Sequence, residues 1–154
     1  MKNGKRLPKG FLEQVTERIH NVLGDNLVAV VMYGSYARGT AREASDLDLL
    51  VIARALPPSR ERDAMLIDAF DDLVMETGIA VMPILMTEGE LRRDMEMRAP
   101  LLYGVVTGYC VAWGQLPLLT KWEQFVRGHY RLSKKYDAWI IKNRMQPQPK
   151  PNLL

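Results

Sequence analysis

The sequence predicts an α+β domain: a small mixed β-sheet of about four strands with helices packed on it, followed by a long C-terminal helix. Two continuous β-prone runs, one over 27–33 and one over 46–52, suit strands covered on both faces. Segments with apolar residues at helical spacing stand before, between and after them. Short connections between the two kinds of pattern place those helices against the sheet.

In chain order, Phe11, Leu12, Val15, Ile19, Val22 and Leu23 mark an amphipathic helix over 11–23, with Gly24 as its stop. The strand over 27–33 follows, then a polar loop, then the strand over 46–52. Pro57-Pro58-Ser59 breaks the chain and leads into a helix over 60–77, whose apolar stripe is Met65, Leu66, Ala69, Phe70, Leu73 and Val74. A third strand is expected over 79–86, and Pro83 within it argues for an edge position or a bulge. Thr87 opens a helix that runs to Met97. Pro100 to Val106 gives another short helix, and Tyr109 to Trp113 a last strand. From Leu118 to about Arg144 the aromatic and aliphatic residues Leu119, Trp122, Val126, Tyr136, Trp139 and Ile140 fall near one face of a long helix. Proline-rich residues 146–154 read as an extended or disordered tail. The expected division is 1–117 as the main domain, 118–145 as a basic amphipathic helix packed on it or on a partner, and 146–154 as tail.

The 154 residues suffice for one domain with a real core. With 47% hydrophobic and 25% charged residues the composition is that of an ordinary soluble fold. No apolar stretch approaches the roughly 20 residues that span a bilayer, and no signal-peptide pattern opens the chain, so a cytoplasmic location without membrane partners is expected. The net charge of +3 is unevenly spread. Residues 1–117 carry 13 Lys/Arg against 16 Asp/Glu, and residues 118–154 carry 8 against 2. The basic C-terminal segment leaves nucleic acid open as a partner, and its helix is a candidate surface for homo-oligomers. Cys110 is the sole cysteine and is expected in the core, as are the nine methionines. His20 and His129 read as structural or surface groups, with no zinc-ligand spacing.

The chemistry is concentrated in residues 34–48. Gly34-Ser35 ends the first strand, Arg38-Gly39 follows, and Ser45-Asp46-Leu47-Asp48 opens the second. Strand side chains alternate faces, so Asp46 and Asp48 are expected on one side. Two adjacent carboxylates repel, and a divalent cation relieves that repulsion. Hard oxygen ligands suit Mg²⁺, with Mn²⁺ as the alternative, completed by waters and substrate phosphates. Gly34 gives a phosphate access to backbone N–H groups. Ser35 can cap the helical turn after it, and Arg38 can add a charge-assisted contact. Together they describe a site for a nucleoside triphosphate.

This pattern resembles the signature of the DNA polymerase beta-like nucleotidyltransferase superfamily, above all its minimal nucleotidyltransferase branch. Gly34, Ser35, Gly39, Ser45, Asp46 and Asp48 match that motif residue by residue, and residues 100–102 and 108–114 match a later region loosely. The resemblance implies metal-dependent transfer of a nucleotidyl group, AMP from ATP, to a hydroxyl of a protein or small molecule. It assigns Asp46 and Asp48 to catalysis and metal binding, and Gly34, Ser35, Arg38, Gly39 and Ser45 to the nucleotide. It also implies a third carboxylate on a neighbouring strand, yet the segment 79–86 has no Asp or Glu. The other reading is a weakly active or inactive binding module, such as the antitoxin partner of a HEPN-type protein.

Overall fold

The computed structural model describes residues 4–145 and 147–154; Lys2 of the N-terminal basic run and Gln146 of the tail lie outside them. The chain runs α1 (Phe11–Leu23), β1 (Leu27–Tyr33), α2 (Gly34–Arg38), β2 (Leu47–Ala53), α3 (Ser59–Met65), α4 (Asp71–Thr77), β3 (Val81–Thr87), α5 (Glu88–Glu96), α6 (Pro100–Thr107), β4 (Cys110–Gly114), α7 (Pro117–His129), β5 (Tyr130–Ser133) and β6 (Ala138–Ile141). The strand order of the main sheet is β3-β2-β1-β4. β1 is antiparallel to β2 and β4, and β2 is parallel to β3. This is the expected mixed four-stranded sheet, with Pro83 on an edge strand where its missing N–H costs no ladder bond.

The continuous apolar runs arise because both faces of the sheet are covered. Leu47, Leu49 and Val51 point into one cluster with Val15, Ile19, Leu66, Phe70 and Leu73 of α1 and the α3–α4 region. Leu50 and Ile52 point the other way, with Ala29 and Val31, into a second cluster with α5, α6 and α7. At its centre Trp122 is fully buried, and its Nε1–H donates to the Leu102 carbonyl at 3.0 Å. Two ion pairs fasten helices together, the first within one layer and the second between the two. Arg18 of α1 forks onto Asp72 of α4 at 2.8 and 2.7 Å. Arg62 of α3 forks onto Glu90 of α5 at 2.6 and 2.8 Å. Glu90 also completes a capping box, its backbone N–H donating to Thr87 Oγ1 at 3.2 Å.

Five expectations need correction. The helix over 60–77 is two helices separated by residues 66–70, and Leu66 and Phe70 in the break still reach the core. The long C-terminal helix stops at His129, and the chain turns into the β5–β6 hairpin with Tyr130 opposite Ile141. Trp139 explains the turn: its Nε1–H donates to Tyr103 O at 3.0 Å and Thr107 Oγ1 at 3.1 Å, and Arg127 stacks on its ring at 5.4 Å. Cys110 is exposed because β4 is the other edge of the sheet. The methionines divide: Met86 and Met95 are buried, whereas Met75, Met82, Met97 and Met145 are exposed. The tail, although without regular structure, returns to the domain, and Leu153 is buried in the second cluster. No helix among the described residues is long and apolar enough to cross a membrane.

Candidate active site

The site lies where β1 ends and β2 begins, on the face that carries α5, α6 and α7. Tyr33 and Asp48 are paired across the antiparallel β1–β2 ladder, so their side chains leave the sheet together. The chain then reverses through Gly34, which is buried with φ +76°. A side chain there would be strained, and it would also collide: a Cβ on Gly34 would sit 2.2 Å from Asp48 Oδ2. The Asp48 carboxylate thus rests against the bare Cα that starts α2.

That contact sets Asp48 of the acid pair against the start of the glycine loop. Asp48 is half-buried and its pKa is raised, first by burial and then by the negative charge of Asp46, while Arg38 pulls it down. Asp46, Asp48 and Arg38 therefore share one electrostatic neighbourhood. Tyr33 is pushed up to about 12 by burial and by Asp48, so its phenol keeps its proton. Asp46 itself stands one residue before β2 and is exposed. The turn behind it is closed by Ser45, whose N–H donates to the Arg42 carbonyl at 3.0 Å and whose hydroxyl accepts from Arg42 N–H at 2.8 Å. Ser45 thus closes the turn that leads into Asp46.

Ser35 also differs from expectation. The helix begins at Gly34 with Tyr33 as its N-cap, and no side chain caps it. Ser35 is the second helical residue, and its carbonyl accepts the N–H groups of Gly39 and Thr40. Gly39, with φ +73°, ends the helix in the left-handed conformation. The loop is braced from outside by the N-terminal segment, Gly4 N–H donating to Gly39 O at 3.1 Å and Lys5 N–H to Ala41 O at 2.8 Å. Lys5, Arg6 and Arg38 line a cavity of about 680 Å³ between that segment and α2.

The neighbouring strand supplies no acid. Met82 of β3 stands in register with Asp48 and is 50% exposed. Among the described residues no group of three or more His, Cys, Asp or Glu side chains is placed to hold a metal. The basic C-terminal residues are partly consumed in structure: Arg127 pairs with Glu123 at 3.1 Å, and Lys142 donates to the Arg127 carbonyl at 2.8 Å.

The profile of the nucleotidyltransferase domain family matches residues 12–102, more than half of the chain, including the loop and both aspartates. The chain belongs to the nucleotidyltransferase domain family. A Methanocaldococcus jannaschii protein, MJ1305, named for an inferred protein adenylyltransferase activity, is 36% identical over 112 residues, covering 71% of this chain and 74% of its own length. Spectinomycin adenyltransferase from Enterococcus faecialis, solved with ATP and spectinomycin, has the same fold with a TM-score of 0.55 at 15% identity, over 71% of this chain and 57% of that one. The complex of a tri-AMPylated Shewanella oneidensis HEPN toxin with MNT antitoxin contains a chain similar at a TM-score of 0.48 and 15% identity, over 74% of this chain and 78% of that chain. Within this nucleotidyltransferase domain, sequence reading missed three contributors. Tyr33, next to the motif, looked like an ordinary strand residue, and Met82 was hidden until the parallel register was known. Gly108, whose Cα lies under the Arg38 stem, sat in a region noted only for loose similarity.

Proposed function

We propose that this domain transfers AMP from ATP to a hydroxyl group on a protein, with Mg²⁺ held by Asp46 and Asp48. The observation that carries this reading is the Asp48 carboxylate lying against the Gly34 Cα, one of the paired acids at the start of the glycine loop. The protein acceptor is favoured by the name of the Methanocaldococcus jannaschii relative, and the motif's resemblance to the minimal branch makes a HEPN-type protein the first partner to try.

The donor set fits a hard divalent cation. Asp48 is half-buried beside a second carboxylate, and the charge of Asp46 opposes its ionisation, a cost that a cation removes. Mg²⁺ bound there would supply electrophilic stabilisation of the phosphate charge. With two acids at hand, the remaining ligands would come from water and the nucleotide. The N–H groups at the start of α2, free of a side-chain cap, would receive phosphate oxygens. Arg38 would neutralise charge on the triphosphate. The acceptor hydroxyl gives up its proton to solvent water as its oxygen bonds the α-phosphorus, the bond from that phosphorus to the α,β-bridging oxygen breaks, and pyrophosphate leaves. Tyr33 keeps its proton through the neutral range and stays a hydrogen-bond donor at the cleft wall. The protein's contribution is position and charge rather than a covalent intermediate.

The test is transfer of label from α-³²P-ATP to a HEPN-type protein, with calorimetry of ATP and Mg²⁺ binding alongside. The parent should bind ATP and label the acceptor, and Asp46→Asn/Asp48→Asn should do neither. A parent that binds no nucleotide would end the reading. A parent that binds ATP but never releases pyrophosphate with any acceptor would leave a nucleotide-binding module in its place.

A further inference from the structure

Arg38, the last residue of α2, is close enough to Asp48 for its charge to pull that carboxyl down, and a residue without a side chain lies against its stem. Gly108 follows α6 with φ −178° and ψ 122°, extended backbone that any residue adopts. Conformation therefore does not explain a glycine at this position. Space does: a Cβ on Gly108 would lie 2.8 Å from Arg38 Cγ and 3.7 Å from both Arg38 Cα and Cβ. The stem of Arg38 is laid directly across the backbone of the α6–β4 turn.

The turn cannot readily give way. Thr107 Oγ1 donates to Tyr103 O at 3.0 Å and accepts from Trp139 Nε1 at 3.1 Å. Arg127 Nη2 donates to Val106 O at 3.3 Å, and Val105 and Val106 are fully buried. The other side is no softer, because α2 ends at Gly39 with two N–H groups on the Ser35 carbonyl. Pressure from a new methyl would fall on Arg38 itself. Cγ is placed by χ1 alone, and the next staggered well is about 120° away. The whole side chain would then swing, not just its tip.

We propose that Gly108 is a positioning residue for nucleotidyl transfer: its missing side chain seats the Arg38 stem so that the guanidinium stands at the cleft shared by Gly34 and Asp48 and meets the triphosphate. This rests on the nucleotidyl-transfer reading of the site. Gly108 touches no substrate. It acts wholly through Arg38, and that exclusivity makes the idea testable.

The experiment is a double-mutant cycle of Gly108→Ala and Arg38→Ala, read as ATP affinity by calorimetry in Mg²⁺. It is joined to a crystal structure of the nucleotide-free Gly108→Ala protein. Each single change should weaken ATP by about tenfold, the loss of one charge-assisted phosphate contact. The double variant should bind no more weakly than Arg38→Ala alone, since the methyl has nothing left to displace. The KM for ATP should rise in Gly108→Ala with a smaller change in kcat. The structure should show Arg38 in a different χ1 well with residues 105–109 in place. Unchanged affinity in Gly108→Ala, additive losses in the double variant, or a shifted turn with Arg38 unmoved would each overturn the proposal. Should the parent bind no ATP, the functional reading fails, and the nucleotide-free structure still decides whether Gly108 seats Arg38.

Discussion

Replacing Gly34 with alanine separates the two reasons for a glycine at that position. The first is backbone handedness. At φ +76° a residue with a Cβ costs about 1–2 kcal/mol, which for a chain of this size lowers Tm by about 2–8 °C. The second is contact. The new Cβ would lie 2.2 Å from Asp48 Oδ2 and 3.1 Å from its Cγ, so the carboxylate must retreat by about 1 Å, a misplacement worth on the order of 10²-fold in rate. Gly78 provides the control, because it ends α4 at φ +72° with nothing within 4 Å of a built Cβ. Gly34→Ala and Gly78→Ala should lose similar Tm by differential scanning calorimetry. Only Gly34→Ala should lose AMP transfer, by about 100-fold, at a temperature where both are folded. Equal retention of activity in the two variants would refute the inference that Asp48 is placed by the bare Cα.

Two further predictions concern pH. The pKa of Asp48 is raised in the folded state by burial and by Asp46, so its contribution to stability is complete below the ordinary carboxylate value and is lost as the pH climbs through the raised one. Asp48→Asn should therefore be more stable than the parent in urea at pH 7, with the gap closing towards pH 3, while transferring no AMP; a less stable Asn variant at pH 7 would contradict this. Asp72 has the opposite sign: its hydrogen bonds from Arg18 lower it to about 2, so its contribution is present above the ordinary carboxylate value and fades as the pH falls through about 2. Asp72→Asn should unfold more easily than the parent at pH 7, with the gap narrowing steadily as the pH falls towards 2, and an unchanged pH 7 transition would show that the α1–α4 pair is idle.

Much of the site was legible because its chemistry is local in sequence. Gly34, Arg38, Gly39, Asp46 and Asp48 span one strand–turn–strand unit, and the missing acid could be read directly from the composition of 79–86. The two central strands of the main sheet were legible as well, since burial on both faces leaves uninterrupted apolar runs. What escaped depends on partners distant in the chain. The break between α3 and α4 has neither Gly nor Pro; it exists because Leu66 and Phe70 pack into the core from a turn as well as from a helix. The hairpin after His129 was masked because Tyr130, Trp139 and Ile140 also suit a helical stripe, and its turn uses Asp137 at φ +48° in place of a glycine. Apolar composition gave no hint that Cys110 lies on an edge strand. Ser35 and Ser45 were identified as members of the motif, but their hydrogen bonding depends on where α2 starts and on the Arg42 turn, and spacing alone does not fix either.

The short helix α2 is framed by two left-handed glycines, Gly34 and Gly39, like a cassette clipped at both ends. Variation meant to retune nucleotide preference has no freedom at the clips, where any side chain twists the backbone. Arg42, Glu43 and Ala44, by contrast, are exposed, so a library confined to those three positions could vary the surface of the turn before Asp46 while leaving the frame of α2 intact.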